Sequence, residues 1–304
     1  MGFITKEFTI NNEKILDFLV KKLGFSLREA KRAIDRGRVS LNGKRITEKS
    51  FRGSGNLKCI VFEPNGYGLK PIFETTHFAI FDKPSGVAIH PKKLANTKSL
   101  LDDVRKLWGN EANLVHRLDK ETSGLVIASK NKFAESILKK MFQDKEIKKH
   151  YLALVRGNLD KEITIKKNIE TNKDENIKVK VKISKTGKEA ITIVKPLQKL
   201  GNYTLVECIP LTGRQHQIRV HLFSIGHPIV GDPLYGVDNK FADRYLNKLI
   251  DIKERIEITG ASRLMLHAYK LEFEFMNNKY IIISDSFEKE IKKVISSTIT
   301  LSKI

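Results

Sequence analysis

The chain has 304 residues, of which 56 are Lys or Arg and 35 are Asp or Glu, so its formal net charge is +21. At about 150 residues per domain this length favours two domains. The 40% of hydrophobic residues excludes collagen-like, low-complexity and wholly disordered classes. No apolar run approaches the ~18 residues of a membrane helix, and the N-terminus lacks the apolar stretch of a secretory signal. We therefore expect a cytoplasmic globular protein with no membrane association.

The charge surplus is concentrated near the start of the chain. Residues 1–60 carry 14 Lys and Arg against 6 Asp and Glu, which is more than a third of the whole surplus. A surplus of this size on a folded protein usually serves a polyanion, either nucleic acid or anionic lipid. A Lys-rich composition that only solvates the surface is the alternative for the rest of the chain.

The first elements are two short helices. Residues 12–23 have apolar side chains at helical spacing, with Asn11 or Asn12 as the N-cap. A second helix over residues 26–37 begins with the S-x-x-E spacing of a capping box, formed by Ser26 and Glu29. We expect its buried side to consist of Leu27, Ala30 and Ile34, and its outer side to carry Arg28, Lys31, Arg32 and Arg36.

A small sheet is predicted to follow these helices. Gly37 lies where a helix ends in a left-handed residue, residues 38–41 are typical of a strand, and Asn42-Gly43 is a strong hairpin signal. The module is complete by about residue 62, and Gly and Pro scattered through residues 51–67 favour a linker. We place the domain boundary at residue 68, giving domains 1–68 and 69–304.

The segment KILDFLVKKLGFSLREAKRAIDRGRVSLNGKRI resembles an S4 RNA-binding domain. The resemblance implies that the basic face of the second helix binds structured RNA, through Arg28, Lys31, Arg32, Arg36 and Arg38. This fits the dominance of phosphate charge in nucleic-acid affinity and the recognition of RNA helices by shape. An ordinary pair of amphipathic helices with a charged outer face is the alternative.

The second part of the chain places a polar loop between apolar segments. Strands are predicted over residues 77–81, 125–129 and 149–155, an extended piece over 87–91, and a helix over 132–143. The loop HRLDKETSG precedes the second of these strands, so Asp119, with His116 and Arg117 beside it, forms a candidate reactive or binding cluster. A solvated turn with a local Asp–Arg pair explains these residues equally well.

Five motifs resemble the RluA-type pseudouridine synthases, in order and in spacing, from about residue 72 to 285: KPSGVAIHP, HRLDKETSGLVIASK, KKHYLALVRG, LTGRQHQIRVHLFSIGHPIVGDPLYG and RLMLHAYKLEF. The similarity is greatest to the large-subunit ribosomal RNA members, RluC and RluD. It implies an α+β fold: a mixed, largely antiparallel sheet with flanking helices and a central RNA cleft. It also implies isomerisation of uridine to pseudouridine with no cofactor and no metal.

The resemblance assigns roles to single residues. Asp119 matches the essential aspartate, which either attacks near the sugar C1′ or removes a proton at C2′. Tyr151 matches the active-site tyrosine, whose ring stacks on the uracil and whose oxygen assists proton loss from C5. Arg219 is expected to pair with Asp119 and to keep it ionised and oriented.

Three further residues are expected to bind RNA near the reaction. Arg117 is expected to fill the space left by the flipped uridine, since a guanidinium stacks on bases and neutralises phosphate. His116 is expected to bind RNA, and Arg214 to contact RNA phosphate or to support the site. His216 and His221 lack a third ligand at a sensible spacing, and Cys59 and Cys208 lie far apart, so we expect no metal site.

Residues 237–262 are predicted to form a helical insertion that modulates RNA contact or packing and leaves the site alone. Residues 288–304 are predicted to form a terminal helix with a loose end. The predicted function is isomerisation of uridines in 23S ribosomal RNA by a monomer without an obligatory protein partner. A tRNA-directed synthase and a non-catalytic RNA-binding ribosome-assembly factor are the alternatives.

Overall fold

The computed structural model describes residues 3–62, 66–91, 97–171, 177 and 179–301. The chain folds into two compact units. The first comprises Met1–Tyr67 and His90–Lys106, and the second comprises Gly68–Ile89 and Leu107–Ile304. No pattern in the sequence indicated that residues 90–106 would belong to the first unit. No helix in the described ranges is long and apolar enough to cross a membrane.

The first unit packs two helices against a four-stranded antiparallel sheet. Its elements are β1 (Phe3–Lys14), α1 (Ile15–Lys21), α2 (Leu27–Asp35), β2 (Val39–Leu41), β3 (Lys44–Arg45) and β4 (Arg52–Phe62), with most of α3 (Leu100–Trp108). The strand order is β1-β4-β2-β3. Apolar residues from both helices and from the sheet share one buried core, which includes Ile15, Leu19, Ala30, Ile34, Val39 and Leu57.

The start of the first helix differs from the prediction. Residues 12–14 belong to β1, the helix begins at Ile15, and its N-cap Lys14 makes no side-chain capping bond. Asn12 has a positive φ of 48° and lies where the pairing of β1 with β4 shifts register. Side chains of β4 bind the Asn12 backbone instead: its N–H donates to the Ser54 hydroxyl at 2.8 Å, and its carbonyl accepts from the Arg52 guanidinium at 2.7 Å. Asn11 and Asn12 therefore do not cap the helix.

The second helix begins and ends as predicted. The Ser26 hydroxyl accepts from the Glu29 N–H at 3.3 Å, and the Ser26 N–H donates to the Glu29 carboxylate at 2.9 Å, which completes the capping box. Gly37 has a φ of +65°, as a left-handed terminating residue requires. Leu27 is 53% exposed, so its predicted burial is wrong. It starts the helix, at the edge of the packing that buries Ala30 and Ile34.

The second unit is built on a ten-stranded sheet. The sheet is mixed and largely antiparallel, as predicted. The order is β10-β13-β14-β9-β15-β8-β6-β5, with β16 beside β15 and β7 beside β8, and β15 pairs with β8 in parallel. The strands are β5 (Phe73–Glu74), β6 (Phe78–Lys83), β7 (Asn113–Leu114), β8 (Ser123–Ser129), β9 (Lys148–Arg156), β10 (Ile163–Lys166), β13 (Ile191–Leu200), β14 (Tyr203–Pro210), β15 (Leu266–Phe275) and β16 (Asn278–Ile283). The strands β11 (Ile169–Thr171) and β12 (Val181–Ile183) form a separate pair.

Five helices flank these sheets: α4 (Lys132–Gln143), α5 (Gln217–Phe223), α6 (Asn239–Leu246), α7 (Ile252–Thr259) and α8 (Glu288–Leu301). Helix α4 has the predicted bounds, and α6 and α7 confirm that the insertion is helical. Helix α8 runs through most of the predicted tail, whose last three residues lie outside the described ranges. Residues 87–91 form bends and irregular backbone instead of an extended piece.

The centre of the sheet positions the functional loop. All seven residues of β8 are buried, because its apolar run SGLVIAS is covered on both faces. Residues 115–122, between β7 and β8, therefore start and end on paired strands. The same sheet brings β9 and the end of β14, which leads into α5, towards this loop.

Candidate active site and RNA-binding residues

A cleft of about 1000 Å³ opens in the second unit. Its walls come mainly from the loop over residues 115–122, the end of α4 with the start of β9, and the stretch from the end of β14 into α5. Glu189, Ile191 and Leu266 also line the cleft. Asp119, Tyr151 and Arg219 all line this cleft, together with His116, Arg117 and Arg214. The six residues predicted for the second unit are thus brought together in one place.

The loop that carries Asp119 is held by hydrogen bonds at its base. The buried Lys83 ammonium donates to the carbonyls of Pro84 at 2.9 Å, Val87 at 3.0 Å and Lys120 at 3.2 Å. The Ser85 hydroxyl donates to the Glu121 carbonyl at 2.6 Å. Burial lowers the pKa of Lys83 to about 7, against the opposing charges of Glu121 and Asp119. These bonds fix the backbone directly after Asp119, at Lys120 and Glu121.

Arg219 is the buried cation of the site. It is 2% exposed, and its Nη1 lies 3.6 Å from Oδ2 of Asp119, whose side chain is 23% exposed. Its Nε and Nη2 donate to both carboxylate oxygens of Asp232, at 2.8 and 2.7 Å. Burial lowers the pKa of Arg219, but the charges of Asp232 and Asp119 and the bonds to Asp232 outweigh it, so the pKa is raised.

Asp232 is a residue of the site that the sequence analysis missed. Besides Arg219, its carboxylate accepts the backbone N–H groups of Leu234 at 2.8 Å and Tyr235 at 3.1 Å. Its position in GDPLYG, where a short acidic side chain bonds backbone donors two and three residues later, is the signal that could have found it. Asp232 makes the stronger pair with Arg219, through Nε and Nη2, and Asp119 faces the remaining guanidinium nitrogen, Nη1.

Tyr151 lies in β9 and is 9% exposed. Its neighbours in the sheet are Cys208 of β14 and Ala268 of β15. Burial, with a smaller contribution from the charge of Asp119, raises the pKa of Tyr151. The phenol therefore stays protonated at neutral pH and offers the cleft an aromatic ring and a neutral hydroxyl.

The two histidines of the α5 segment have separate partners. His216 has a φ of 51°, its Nε2 lies 3.6 Å from Oδ2 of Asp119, and its Nδ1 lies 3.1 Å from the Tyr235 hydroxyl. Burial and the charge of Arg219 lower its pKa to about 4, so the ring is neutral. His221 uses Nδ1 on Thr192 and Nε2 on the Lys167 carbonyl. In the described ranges no three His, Cys, Asp or Glu side chains form a group able to hold a metal.

The remaining cleft residues differ in what they can offer RNA. Arg117 and Arg214 are exposed, and the Nε of Arg214 donates to the Glu189 carbonyl at 3.0 Å. His116 stacks on Phe142, and its Nε2 accepts the Ile127 N–H at 2.9 Å. Burial, followed by the charge of Lys149, lowers the pKa of His116 to about 3. His116 therefore supplies no positive charge, and it joins the loop to β8.

The predicted RNA-binding face of the first unit is exposed on α2. Arg28, Lys31, Arg32 and Arg36 are all exposed, whereas Arg38 is half-buried before β2. Lys145 and Lys148 add exposed positive charge beside the cleft of the second unit. Each unit thus presents basic side chains of the kind that bind phosphate groups.

The arrangement suits chemistry on a nucleobase. It combines a carboxylate held beside a fixed cation, an aromatic ring and a cleft large enough for one nucleotide. A carboxylate oriented in this way can act as a nucleophile or as a base. A fixed cation such as Arg219 needs no reorganisation during the reaction.

Comparisons with known proteins identify the family. Residues 77–224 match the RNA pseudouridylate synthase family, and residues 13–55 match the S4 domain. The chain is 41% identical over 294 residues to a protein of Helicobacter pylori described as an uncharacterized RNA pseudouridine synthase, covering 95% of this chain and 98% of that relative. Among solved structures, human RNA pseudouridylate synthase domain containing 1 has a TM-score of 0.57 and 27% identity, covering 72% of this chain and 85% of that chain.

Two further relatives have more specific names. The ribosomal large subunit pseudouridine synthase C of Vibrio parahaemolyticus is 32% identical over 288 residues, covering 87% of this chain and 85% of that relative. Synthase D of Nitrosomonas europaea is 35% identical over 228 residues, covering 72% of this chain and 61% of that relative. The chain therefore belongs to the RluA-type RNA pseudouridine synthases, and it is an RNA-modifying isomerase that carries an S4 domain.

Proposed function

We propose that this enzyme isomerises specific uridines of 23S ribosomal RNA, with Asp119 as its catalytic residue. The observation that carries the proposal is the position of Asp119 in the cleft beside Arg219, which Asp232 holds on its other side. The large-subunit names of two relatives and the basic face of the S4 domain support a ribosomal target.

The reaction breaks the N1–C1′ bond of uridine, turns the base and forms a C5–C1′ bond. The proton that leaves C5 is balanced by the proton gained at N1, so no oxidant or other co-reactant is needed. Asp119 acts at the sugar, by attack on C1′ or by removal of the C2′ proton. Tyr151 supplies a ring for the uracil to stack on, and Arg117 takes the space that the flipped uridine leaves.

The residues that line the cleft all belong to the second unit. We propose that the enzyme acts in the cytoplasm as a monomer, with RNA as its partner.

Mapping of pseudouridine in ribosomal and transfer RNA from a deletion strain tests the proposal. Wild-type enzyme is expected to restore specific positions in 23S RNA, Asp119→Asn to restore none, and Asp243→Asn, a matched change at an exposed carboxylate, to restore them all. Restoration by Asp119→Asn would contradict the assigned residue. Loss confined to tRNA would favour the tRNA-directed alternative, and unchanged modification everywhere would favour an assembly factor.

A further inference from the structure

The inserted helices α6 and α7 reach the active-site loop. Arg255 of α7 is 9% exposed, and its Nη2 donates to the Glu121 carboxylate at 2.8 Å. Glu121 lies two residues after Asp119, in the same loop. The insertion was expected to leave the site alone. This expectation is wrong, because α7 contacts the loop that carries Asp119.

The same helix also holds the turn that positions Asp232. Nη2 of Arg255 donates a second hydrogen bond, at 3.0 Å, to the carbonyl of Gly231, the residue before Asp232. The Gly231 N–H in turn donates to the Thr259 carbonyl at 2.8 Å, at the end of α7. Gly231 has a φ of +78°, and an added Cβ would lie 1.7 Å from the Arg263 carbonyl oxygen. Both polar backbone groups of this tightly packed residue are bound to α7.

Helix α6 completes the contact through Tyr245. Its ring lies under the Arg255 guanidinium, 5.1 Å from ring centroid to Cζ. Burial raises the pKa of Glu121, but the charge of Arg255, the nearby Tyr245 hydroxyl and the hydrogen bond from Arg255 outweigh it, so the pKa lies below its usual value. The Glu121 carboxylate is thus ionised, half-buried and neutralised by the insertion.

We propose that Arg255 is a positioning residue that sets the distance between Asp119 and Arg219 by binding Glu121 and Gly231 at once. One guanidinium joins the loop that carries Asp119 to the turn that carries Asp232, and Asp232 holds Arg219. The proposal rests on the catalytic role proposed for Asp119. Arg255 does not line the cleft, so it acts on the reaction through these neighbours.

The test measures single-turnover rate at saturating RNA, RNA affinity and folded fraction for the full-length enzyme. Arg255→Gln is expected to lower the rate constant about 10- to 100-fold, because a small misplacement of reacting groups costs about that much, while RNA affinity changes less than about twofold. Arg255→Lys keeps the buried charge but replaces the planar fork, so partial recovery is expected. Arg244→Gln is the matched control, because Arg244 pairs with Glu254 on the exposed side of the same insertion.

Two further variants separate positioning from a loss of folding. Tyr245→Phe removes the hydroxyl that helps to lower the pKa of Glu121, without leaving a charge unpaired, and a fall of about two- to fivefold in rate is expected. Arg255→Gln combined with Glu121→Gln is expected to be faster than Arg255→Gln alone, because the uncompensated carboxylate is gone.

Several results would overturn the proposal. Rates for Arg255→Gln equal to those for Arg244→Gln would do so, as would a loss fully explained by the folded fraction or by RNA affinity. Asp119→Asn, assayed in parallel, separates a failure of the positioning role of Arg255 from a failure of the catalytic role of Asp119. If Asp119→Asn is inactive and Arg255→Gln is normal, only the positioning role fails; if Asp119→Asn is active, the proposed catalytic site itself fails.

Discussion

The basic face of α2 and the buried cation at Arg219 use positive charge in opposite ways. On α2, the side chains of Arg28, Lys31, Arg32 and Arg36 are exposed to solvent. Arg219 is enclosed and bound by Asp232 on one side, with Asp119 on the other. Salt screens exposed charges, whereas a buried pair is screened much less. The first arrangement suits affinity for RNA, and the second suits fixed geometry.

Breaking the buried arrangement should have the largest effect. Asp232→Asn removes the charge that holds Arg219 and leaves a guanidinium enclosed without its main partner. We expect the single-turnover rate at saturating RNA to fall about 100-fold or more, since loss of one fixed electrostatic contact has that scale. The free energy of unfolding should fall by about 3 kcal/mol, the usual result of breaking a buried pair.

Rapid-quench assays and chemical denaturation measure these two quantities. RNA affinity should remain within about twofold of the wild-type value, because Asp232 is buried beside Arg219 and does not line the cleft. A wild-type rate for Asp232→Asn would show that Arg219 does not depend on its carboxylate anchor.

Removing the exposed face should change affinity and leave the chemistry intact. We expect the fourfold variant Arg28→Gln, Lys31→Gln, Arg32→Gln and Arg36→Gln to weaken RNA binding about 10- to 100-fold at moderate salt. The logarithm of the association constant for RNA falls linearly with the logarithm of the salt concentration. The steepness of this line should decrease by about 3, since each phosphate contact contributes about 0.7–0.9. Filter binding over a salt series measures this change.

The matched control for the α2 face is Lys21→Gln with Lys22→Gln, two exposed lysines at the end of α1. Per charge removed, this pair should change the slope less than the α2 variant does. An equal change per charge removed would show that the first unit attracts RNA through total charge, without a defined face.

A last prediction concerns the pH dependence of stability at His116, which is neutral although its neighbour Arg117 is a cation. Its folded pKa is about 3, against an ordinary value of 6.5, so between pH 6.5 and pH 3 the unfolded chain binds a proton that the folded protein does not. Stability therefore falls as pH decreases through this window, by at most about 1.4 kcal/mol per pH unit for one such group. His116→Gln should flatten this dependence in urea denaturation between pH 6.5 and 4. An unchanged slope would show that the pKa of His116 does not differ between the folded and unfolded chains.

Much of the fold could be predicted where neighbouring residues decide the structure. The capping box of Ser26 and Glu29, the Asn42-Gly43 turn and helix α4 each depend on side chains a few positions apart, and all are present. Strand β1 was missed, although Ile4, Phe8 and Ile10 alternate with the polar Thr5, Glu7 and Thr9, a period of two that is typical of a strand. It is stabilised by pairing with β4, about forty or more positions later, and this pairing also displaced the predicted helix start.

The candidate site, like the fold, could be predicted only in part. Motifs were enough to select Asp119, Tyr151 and Arg219 as residues that share a cleft. They were not enough to show that Asp232 is the closer partner of Arg219, that His116 is a neutral structural ring, or that α7 contacts the loop. Each of these depends on burial and distance, which a linear motif does not record.

Residue types, and spacings within single elements or motifs, were sufficient to predict the family, the order of the two domains, the basic face of α2 and the candidates for chemistry. They were not sufficient to predict which charges meet. Arg255 and Glu121 are 134 positions apart, and only the order of strands in the sheet and the packing of the insertion bring a buried guanidinium to both the Asp119 loop and the Asp232 turn. Ion pairing is strong only at short range and out of water, so its partners are set by the folded geometry.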